Sequence, residues 1–548
     1  MSAHDFYCDD DDGSANGGRA GRPGIPIAGV LSAVPLAATA AAILWLLLGT
    51  GPSATRRAAA RTPRRAAPAA RQAQKLPQAE VAVRLQRGAI PVPRSFLGLS
   101  TEYWSLPLYE RHLRAFERVL AMLHVPGDGP LILRIGGDSA DRTYWDPRAR
   151  SLPRARFGLT PAWLREAATL VRHTGTRVIL DLNLIADSPA MAAHWARAAL
   201  AQLPRRSLVG FEIGNEPDLY HREFFDRLAT VARTALDAGD VRGGFSASTY
   251  SHDFGFYARA LSPVAGSVPL LGPAVANPAV ALSWLASLIA SDHRQLGMLT
   301  AHRYPLSACK QPSSPLYPTI ARVLSERSSA GIARSVRLAV ALAHRAGLRF
   351  RLTELNSVTC GGRAGVSNAF ASALWAPDAL FELLRAGVDG VNLHIRVNAV
   401  NAPFALVPSG VRPRPLLYGL IMFARTLAPG SQLIDVRLHE ADSLHLKAWG
   451  VRVRGDGLHV LVIDKGRRAA NVDLRLPASS PATVQRLLAP SAVARSGVTL
   501  AGQQLGSDAV WQGRRVAQRI WPGRGGYELA MPAWSAALVT VRGTATAR

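Results

Sequence analysis

The sequence predicts an α/β chain, a (β/α)8 TIM barrel followed by a C-terminal antiparallel β-sandwich and preceded by one N-terminal hydrophobic helix. Three observations carry that prediction. Short apolar runs alternate with helical stretches through the middle of the chain, two of those runs end in a glutamate, and beyond about Leu406 the texture changes to short alternating runs broken by Gly, Pro, Asn and Asp. With 548 residues, 48% of them hydrophobic, the chain has material for a large core and a second one.

Taken in order, residues 1–24 form an acidic, Gly-rich leader expected to be disordered, and Ile25 to Thr50 contains no charged residue. An uncharged run of that length suffices for a membrane-spanning signal-anchor helix, which needs about 20 residues. A cleavable signal peptide would start with a short basic segment instead of this leader. Residues 51–79, rich in Ala, Arg and Pro, read as a linker. The barrel is expected over 80–405, with strands at Phe96–Tyr103, Leu131–Asp138, Arg177–Leu184, the run from Leu208 that ends at Asn215-Glu216-Pro217, Gly244–Thr249, Met298–Tyr304, the run from Arg349 that ends with Glu354, and Val388–His394. The fifth is weak, and Pro269–Pro273 is its alternative. Helical stretches such as Pro161–His173 and Ala190–Leu203 lie between strands, and Trp375 belongs to the helix after the seventh. The sandwich is expected over 406–548, in runs such as Ser443–Trp449, Leu458–Ile463, Ala470–Leu476 and Ala536–Val541, with a possible extra strand from 80–92 around Val81–Leu85.

A net charge of +26 raises nucleic acid as a partner, but the basic residues are scattered and not interleaved with aromatics, so no nucleic-acid role is expected. The excess of Arg reads as a bias of the whole chain, and a basic surface favours anionic glycans. Location draws conflicting signals. Arg56, Arg57, Arg61, Arg64, Arg65, Arg71 and Lys75 follow the apolar run, which by the positive-inside rule keeps the body in the cytoplasm. Of three cysteines, Cys8 lies in the leader, while Cys309 and Cys360 each follow a strand in consecutive barrel positions. They are either a disulfide, implying an oxidising setting, or two unpaired thiols. The expectation is a membrane-anchored chain with its catalytic body extracytoplasmic.

The chemistry centres on Leu208-Val-Gly-Phe-Glu-Ile-Gly-Asn-Glu-Pro-Asp218, an apolar run that ends in Asn215-Glu216-Pro217. Pro217 cannot donate to a sheet and favours an extended Glu216, which places that carboxylate on the C-terminal lip of the fourth strand. Glu354 ends the seventh strand in the same way. Two carboxylates about 5 Å apart are what retaining hydrolysis of an acetal needs, one to protonate the leaving oxygen and one to attack the anomeric carbon. Glu216 is the expected acid/base, because Asn215 beside it is suited to hold the sugar 2-hydroxyl; Glu354 is the expected nucleophile. Tyr304, at the end of the sixth strand, is placed to hydrogen-bond Glu354 and keep it ionised. Glu102 and Asp138, ending the first two strands, point toward sugar hydroxyls or cap the following helices. His394 ends the eighth strand as a structural histidine or a ligand. The histidines do not fall into metal-ligand spacing, so neither metal nor cofactor is expected.

Phe96-Leu-Gly-Leu-Ser100, Leu133-Arg-Ile-Gly-Gly-Asp-Ser-Ala-Asp-Arg142, Phe211-Glu-Ile-Gly-Asn-Glu-Pro-Asp218, His302-Arg-Tyr-Pro305, Leu352-Thr-Glu-Leu-Asn-Ser357 and Cys360-Gly-Gly362 together resemble glycoside hydrolase family 79, the heparanase and β-glucuronidase group. The resemblance spans about residues 80 to 545. It implies a retaining mechanism with Glu216 as acid/base and Glu354 as nucleophile, and backbone N–H groups of Gly361 and Gly362 holding a substrate carboxylate. Members that read a uronic acid usually carry a tyrosine in the loop after the eighth strand, where this chain has Asn398-Ala-Val-Asn-Ala-Pro-Phe404. Arg363 or Arg396 supplies a charged alternative, or the sugar is not a uronate. The expected function is a retaining β-glycosidase acting on a glycan or glycoside, foremost a β-glucuronide. A neutral-sugar β-glycosidase and a non-catalytic glycan-binding surface protein are the alternatives.

Overall fold

The computed structural model describes residues 76–542 except 85–87, 149–156, 186–187, 221–244, 292–293, 398, 409 and 456. Eight parallel strands close into a barrel: Leu97–Glu102, Ile132–Gly136, Arg177–Leu182, Leu208–Ile213, Leu270–Val275, Leu296–Arg303, Arg349–Leu355 and Gly390–His394, the last pairing back onto the first. Most of these strands are buried along their whole length, as expected where helices cover one face and the barrel interior the other. Ile132 and Ile179 stand two residues before Arg134 and Asp181, and so face the same interior. With Val209, Leu271 and Met298 they form a separate apolar cluster beneath the charged layer that the barrel carries at its C-terminal end.

Local chemistry sets the helix boundaries. Thr160 and Ser188 cap the helices Pro161–Thr174 and Pro189–Gln202 by accepting from Trp163 and Met191 N–H, and each helix has Pro in its first turn. The same logic corrects the fifth strand. Ser246 accepts from Thr249 N–H and opens the helix Ala247–Ala265, so the weak run at 244–249 starts a helix, and the strand is its alternative at Leu270–Val275.

The barrel also continues further than expected. Pro415–Thr426 is a nearly fully buried apolar helix packed on Phe370–Arg385, the helix after the seventh strand, in which Trp375 is buried. After the barrel, sandwich strands begin at Gln432. Gln432–Glu440 pairs at its start with Leu446–Val453 and along its second half with Gln78–Arg84, so the sheet folds over along this one strand. Gln78–Arg84 in turn runs parallel to Ala470–Arg475. Gly457–Asp464 and Ala482–Leu488 flank Ser535–Val541 on the other face. Val81, Leu446, Val460, Val472, Val484, Leu529 and Val539 fill the space between.

Polar contacts join the two parts. Lys465 Nζ meets Asp378 Oδ2 at 2.8 Å and Glu326 Oε1 at 3.0 Å, and Lys447 Nζ meets Glu382 Oε1 and Glu326 Oε2 at 2.8 Å each. Trp449 Nε1 donates to Asp378 Oδ1 at 3.1 Å. Asp378 and Glu382 lie on the helix that follows the seventh strand, so the sandwich braces the element behind Glu354.

The expectation of a membrane-anchored, extracytoplasmic body requires correction. Among the described residues no helix is long and apolar enough to cross a membrane, and the apolar run at 25–50 lies outside the described residues.

Candidate active site

Glu216 leaves the fourth strand by a different backbone route from the one its proline suggests. The strand stops at Ile213, Gly214 takes φ 79°, and Glu216 itself is left-handed at φ 48° and ψ 50°, with Pro217 opening a single 3-10 turn. A left-handed non-glycine residue costs roughly 1–2 kcal/mol, a strain that concentrates at functional sites. Its N–H is tied to Ala274 O at 3.1 Å on the fifth strand, which holds the strained turn in place.

Glu354 sits inside a dense polar frame. Arg134 is fully buried and its guanidinium serves three carboxylates, each at 2.7 Å: Nε on Glu212, Nη1 on Glu354 Oε1 and Nη2 on Asp181. Nη2 also donates to Asn215 Oδ1 at 3.0 Å, which orients that amide. Tyr304 OH donates to Glu354 Oε2 at 2.9 Å and lies 3.0 Å from His394 Nδ1. His394 is 3.5 Å from Glu354 Oε2 on one side and 3.4 Å from Glu102 Oε1 on the other. Glu102 Oε2 accepts from Ser139 N–H at 2.9 Å. Gly137 adjoins this contact at φ 69°, and a Cβ there would stand 2.7 Å from Glu102 Oε1, so the turn requires glycine.

His302, fully buried, places Nδ1 2.9 Å from Glu216 Oε1 and 3.9 Å from Glu354 Oε2. Carboxylate oxygens of Glu216 and Glu354 and a ring nitrogen of His302 all lie within 4.8 Å of one another, a spacing that would also suit a metal ion.

The surroundings push the two carboxyl groups in opposite directions. For Glu354 burial works upward, but the charges of His394, His302 and Arg134 and the Tyr304 hydrogen bond prevail and bring it down to about 2. For Glu216 burial dominates, reinforced by the charges of Glu354 and Asp138, and raises it despite the bond to His302. His302 and His394 are also raised: burial disfavours their charged forms, and the adjoining carboxylates outweigh it. Burial pushes Asp181 above the usual carboxylate range, against the opposing charge of Arg134 and with the charge of Glu212 adding to the rise. Two neighbouring carboxyl groups driven apart in this way suit an acid and a nucleophile.

Of the residues singled out from sequence, Glu216, Glu354, Asn215, Tyr304 and Glu102 converge on this frame. Asp138 lies at its edge, 3.7 Å from Arg396. Gly361 and Gly362 follow the seventh strand, with φ 71° and 87°. Gly362 N–H donates to Thr359 O at 3.2 Å, within its own loop. Cys309 and Cys360 form a disulfide that ties this loop to the one after the sixth strand, beside a short parallel pairing of Leu306–Ser307 with Val358–Thr359. The sequence reading assigned no role to Arg134, Asp181, Glu212 or His302. A signal was available for the first three: each is a charged residue inside an otherwise apolar strand, a place charges occupy only when paired.

No protein-family model matches this chain. Over 529 residues it is 24% identical to a β-glucuronidase of Aspergillus niger, covering 83% of this chain and 92% of that protein. Among solved structures, it resembles a 4-O-α-L-rhamnosyl-β-D-glucuronidase from Fusarium oxysporum 12S with a TM-score of 0.68 at 18% identity, covering 84% of this chain and 100% of that one. A GH51 arabinofuranosidase from Xanthomonas axonopodis pv. citri follows, with a TM-score of 0.60 at 13% identity, covering 85% and 100%. The structural likenesses show the fold, a barrel shared with glycoside hydrolases. With the sequence similarity they support a glycoside hydrolase.

Proposed function

We propose that this chain is a retaining β-glycosidase, related to glycoside hydrolase family 79, that acts on β-glucuronides or related acidic glycans. The observation that carries the mechanism is the catalytic pair. Carboxylate oxygens of Glu216 and Glu354 lie within 4.8 Å, close to the separation of about 5 Å used in retention and short of the 6.5–9.5 Å that inversion needs for a water. In the first step Glu216 protonates the leaving glycosidic oxygen while Glu354 attacks the anomeric carbon, so the C–O bond breaks as a glycosyl ester forms. In the second, Glu216 as carboxylate takes a proton from water, the water oxygen attacks that carbon, and Glu354 leaves. Arg134 and Tyr304 hold Glu354 ionised and aimed, and His302 keeps a proton at hand for Glu216. Asn215, oriented by Arg134, binds the 2-hydroxyl.

The acidic substrate is supported by the names of the Aspergillus and Fusarium relatives. Two features favour a neutral sugar instead: the loop after the eighth strand lacks a tyrosine, and Gly362 N–H is occupied by Thr359 O. Aryl β-glucuronide, β-glucoside and β-xyloside assayed side by side decide between these readings. Cleavage of a neutral glycoside with the glucuronide ignored overturns the substrate assignment. Absence of all hydrolysis, with Glu216→Gln indistinguishable from wild type, overturns the enzyme reading in favour of a glycan-binding protein.

A further inference from the structure

We propose that Arg396, in the loop after the eighth barrel strand, recognises the anionic substituent of the sugar held between Glu216 and Glu354. The inference rests on the acidic-substrate reading above, and names the residue that carries it.

A carboxylate on the sugar ring needs a cationic or N–H partner in the wall of the catalytic pocket. Most groups of that kind are committed elsewhere. Arg134 is fully buried and shared among Glu212, Asp181, Glu354 and Asn215. His302 and His394 lie against the catalytic carboxylates themselves. Arg363 donates Nη1 to Pro318 O at 2.7 Å, and its guanidinium stacks 4.5 Å over the Tyr317 ring, which makes it a brace for its own loop. Gly362 N–H is bonded to Thr359 O.

Arg396 stands apart by where its charge acts. Burial works upward on Glu102, but His394 and then the charge of Arg396 prevail and hold it below the usual carboxylate range, and His394 in turn reaches Glu354. Asp138, the partner of Arg396, contributes to the upward shift of Glu216. Arg396 follows His394 by two residues, His394 stands 3.5 Å from Glu354 Oε2, and Asp138 follows Gly137, whose turn lies against Glu102, so the Arg396–Asp138 pair stands beside the frame that holds the catalytic groups. The two are 24% and 37% exposed and 3.7 Å apart, an ion pair that solvent reaches. A guanidinium has five donors and can serve several carboxylates at once, as Arg134 does in this same barrel. In the complex, Arg396 donates to the substrate carboxylate while Asp138 keeps the guanidinium in place and accepts from a neighbouring sugar hydroxyl. The absent tyrosine of the eighth-strand loop is thus replaced by a charge that opens the same loop.

The test is the ratio of kcat/KM for aryl β-glucuronide over aryl β-glucoside in wild type, Arg396→Gln and Arg396→Lys, with Tm recorded for each. The expected result is a fall of the ratio by about 10- to 100-fold in Arg396→Gln, the loss of one charge-assisted hydrogen bond, with part of it restored in Arg396→Lys. The effect should appear mainly in KM, and as an equal weakening of competitive inhibition by free D-glucuronate. A wild type that prefers the glucuronide and keeps its ratio in a folded Arg396→Gln overturns the role of Arg396 and leaves the substrate reading standing. A wild type that ignores the glucuronide overturns both. Should Arg396→Gln fail to fold, the Arg396→Lys ratio and its D-glucuronate inhibition decide, since a lysine retains charge but loses the fork; an unchanged ratio in that variant also overturns the proposal.

Discussion

Replacing Tyr304 with Phe removes one hydroxyl from the frame around Glu354 and leaves the ring. That hydroxyl donates to Glu354 Oε2 at 2.9 Å and is one of the contacts that hold Glu354 down at about 2. A hydrogen bond to a charged acceptor contributes about 1.5–3 kcal/mol, and one pKa unit corresponds to about 1.4 kcal/mol, so its loss should raise Glu354 by about one to two units. The sign follows from the roles. Glu354 must be ionised to attack, so activity is lost as pH falls through its pKa; Glu216 must be protonated to act as acid, so activity is lost as pH rises through its own raised value. In wild type the acid limb lies near the bottom of the usable range, and in Tyr304→Phe it moves up to about pH 3–4. The alkaline limb stays where Glu216 and His302 put it. The assay is kcat/KM against pH on an activated aryl glycoside. An acid limb that coincides with that of wild type would refute the claim that the phenol keeps the nucleophile ionised, and movement of the alkaline limb instead would assign the phenol to Glu216.

Three further outcomes test other parts of the structure. Asp464 is fully buried at the end of a sandwich strand; burial raises it to about 7 against one bond from Gly466 N–H. Because the folded value exceeds the unfolded one, its contribution is fully present below the unfolded value of about 4 and is lost as pH rises from there through about 7. Asp464→Asn should therefore raise Tm more at about pH 8.5 than at about pH 4, by an energy on the order of 2–4 kcal/mol at the alkaline end; an equal shift at both contradicts this. Lys465→Met removes the close lysine of buried Asp378, leaving Lys447 at 3.8 Å, and should cost about 3–5 kcal/mol in denaturant unfolding, with part recovered on adding Asp378→Leu; a cost below about 1 kcal/mol would show that the cluster does not brace the barrel. Gly362→Ala puts a Cβ 2.9 Å from Asn401 N at φ 87°, so KM should rise by about tenfold or more, and an unchanged KM would remove that loop from the substrate site.

Much of the barrel was legible because buried parallel strands leave a short apolar run that ends in a turn signal. Where the run was interrupted, legibility failed. The fifth strand contains Gly272 and Pro273, while Phe245 to Thr249 has the apolar–polar alternation of a strand and the spacing of a helix cap. Helix Pro415–Thr426 is apolar all round, so its buried surface has no periodicity to separate it from a strand region. Glu216 and Glu354 could be read locally, since each ends a strand. The groups that differentiate them could not. Arg134, Asp181, His302 and His394 come from four other strands, and their effect exists only when the barrel brings them within hydrogen-bond reach of one another. The conformation of Glu216 is likewise tertiary: the bond from its N–H to Ala274 O overrides the extended preference imposed by Pro217.

The measurement that bears most directly on the double displacement is trapping of the covalent intermediate. The chain is incubated with the 2-deoxy-2-fluoro form of the aryl β-glycoside it turns over best, and the labelled peptide is mapped by mass spectrometry. One glycosyl adduct per chain is expected, on Glu354, absent in Glu354→Gln. An adduct on Glu216, or rapid turnover of an unfluorinated substrate with first-formed product of inverted configuration and no adduct, would contradict it.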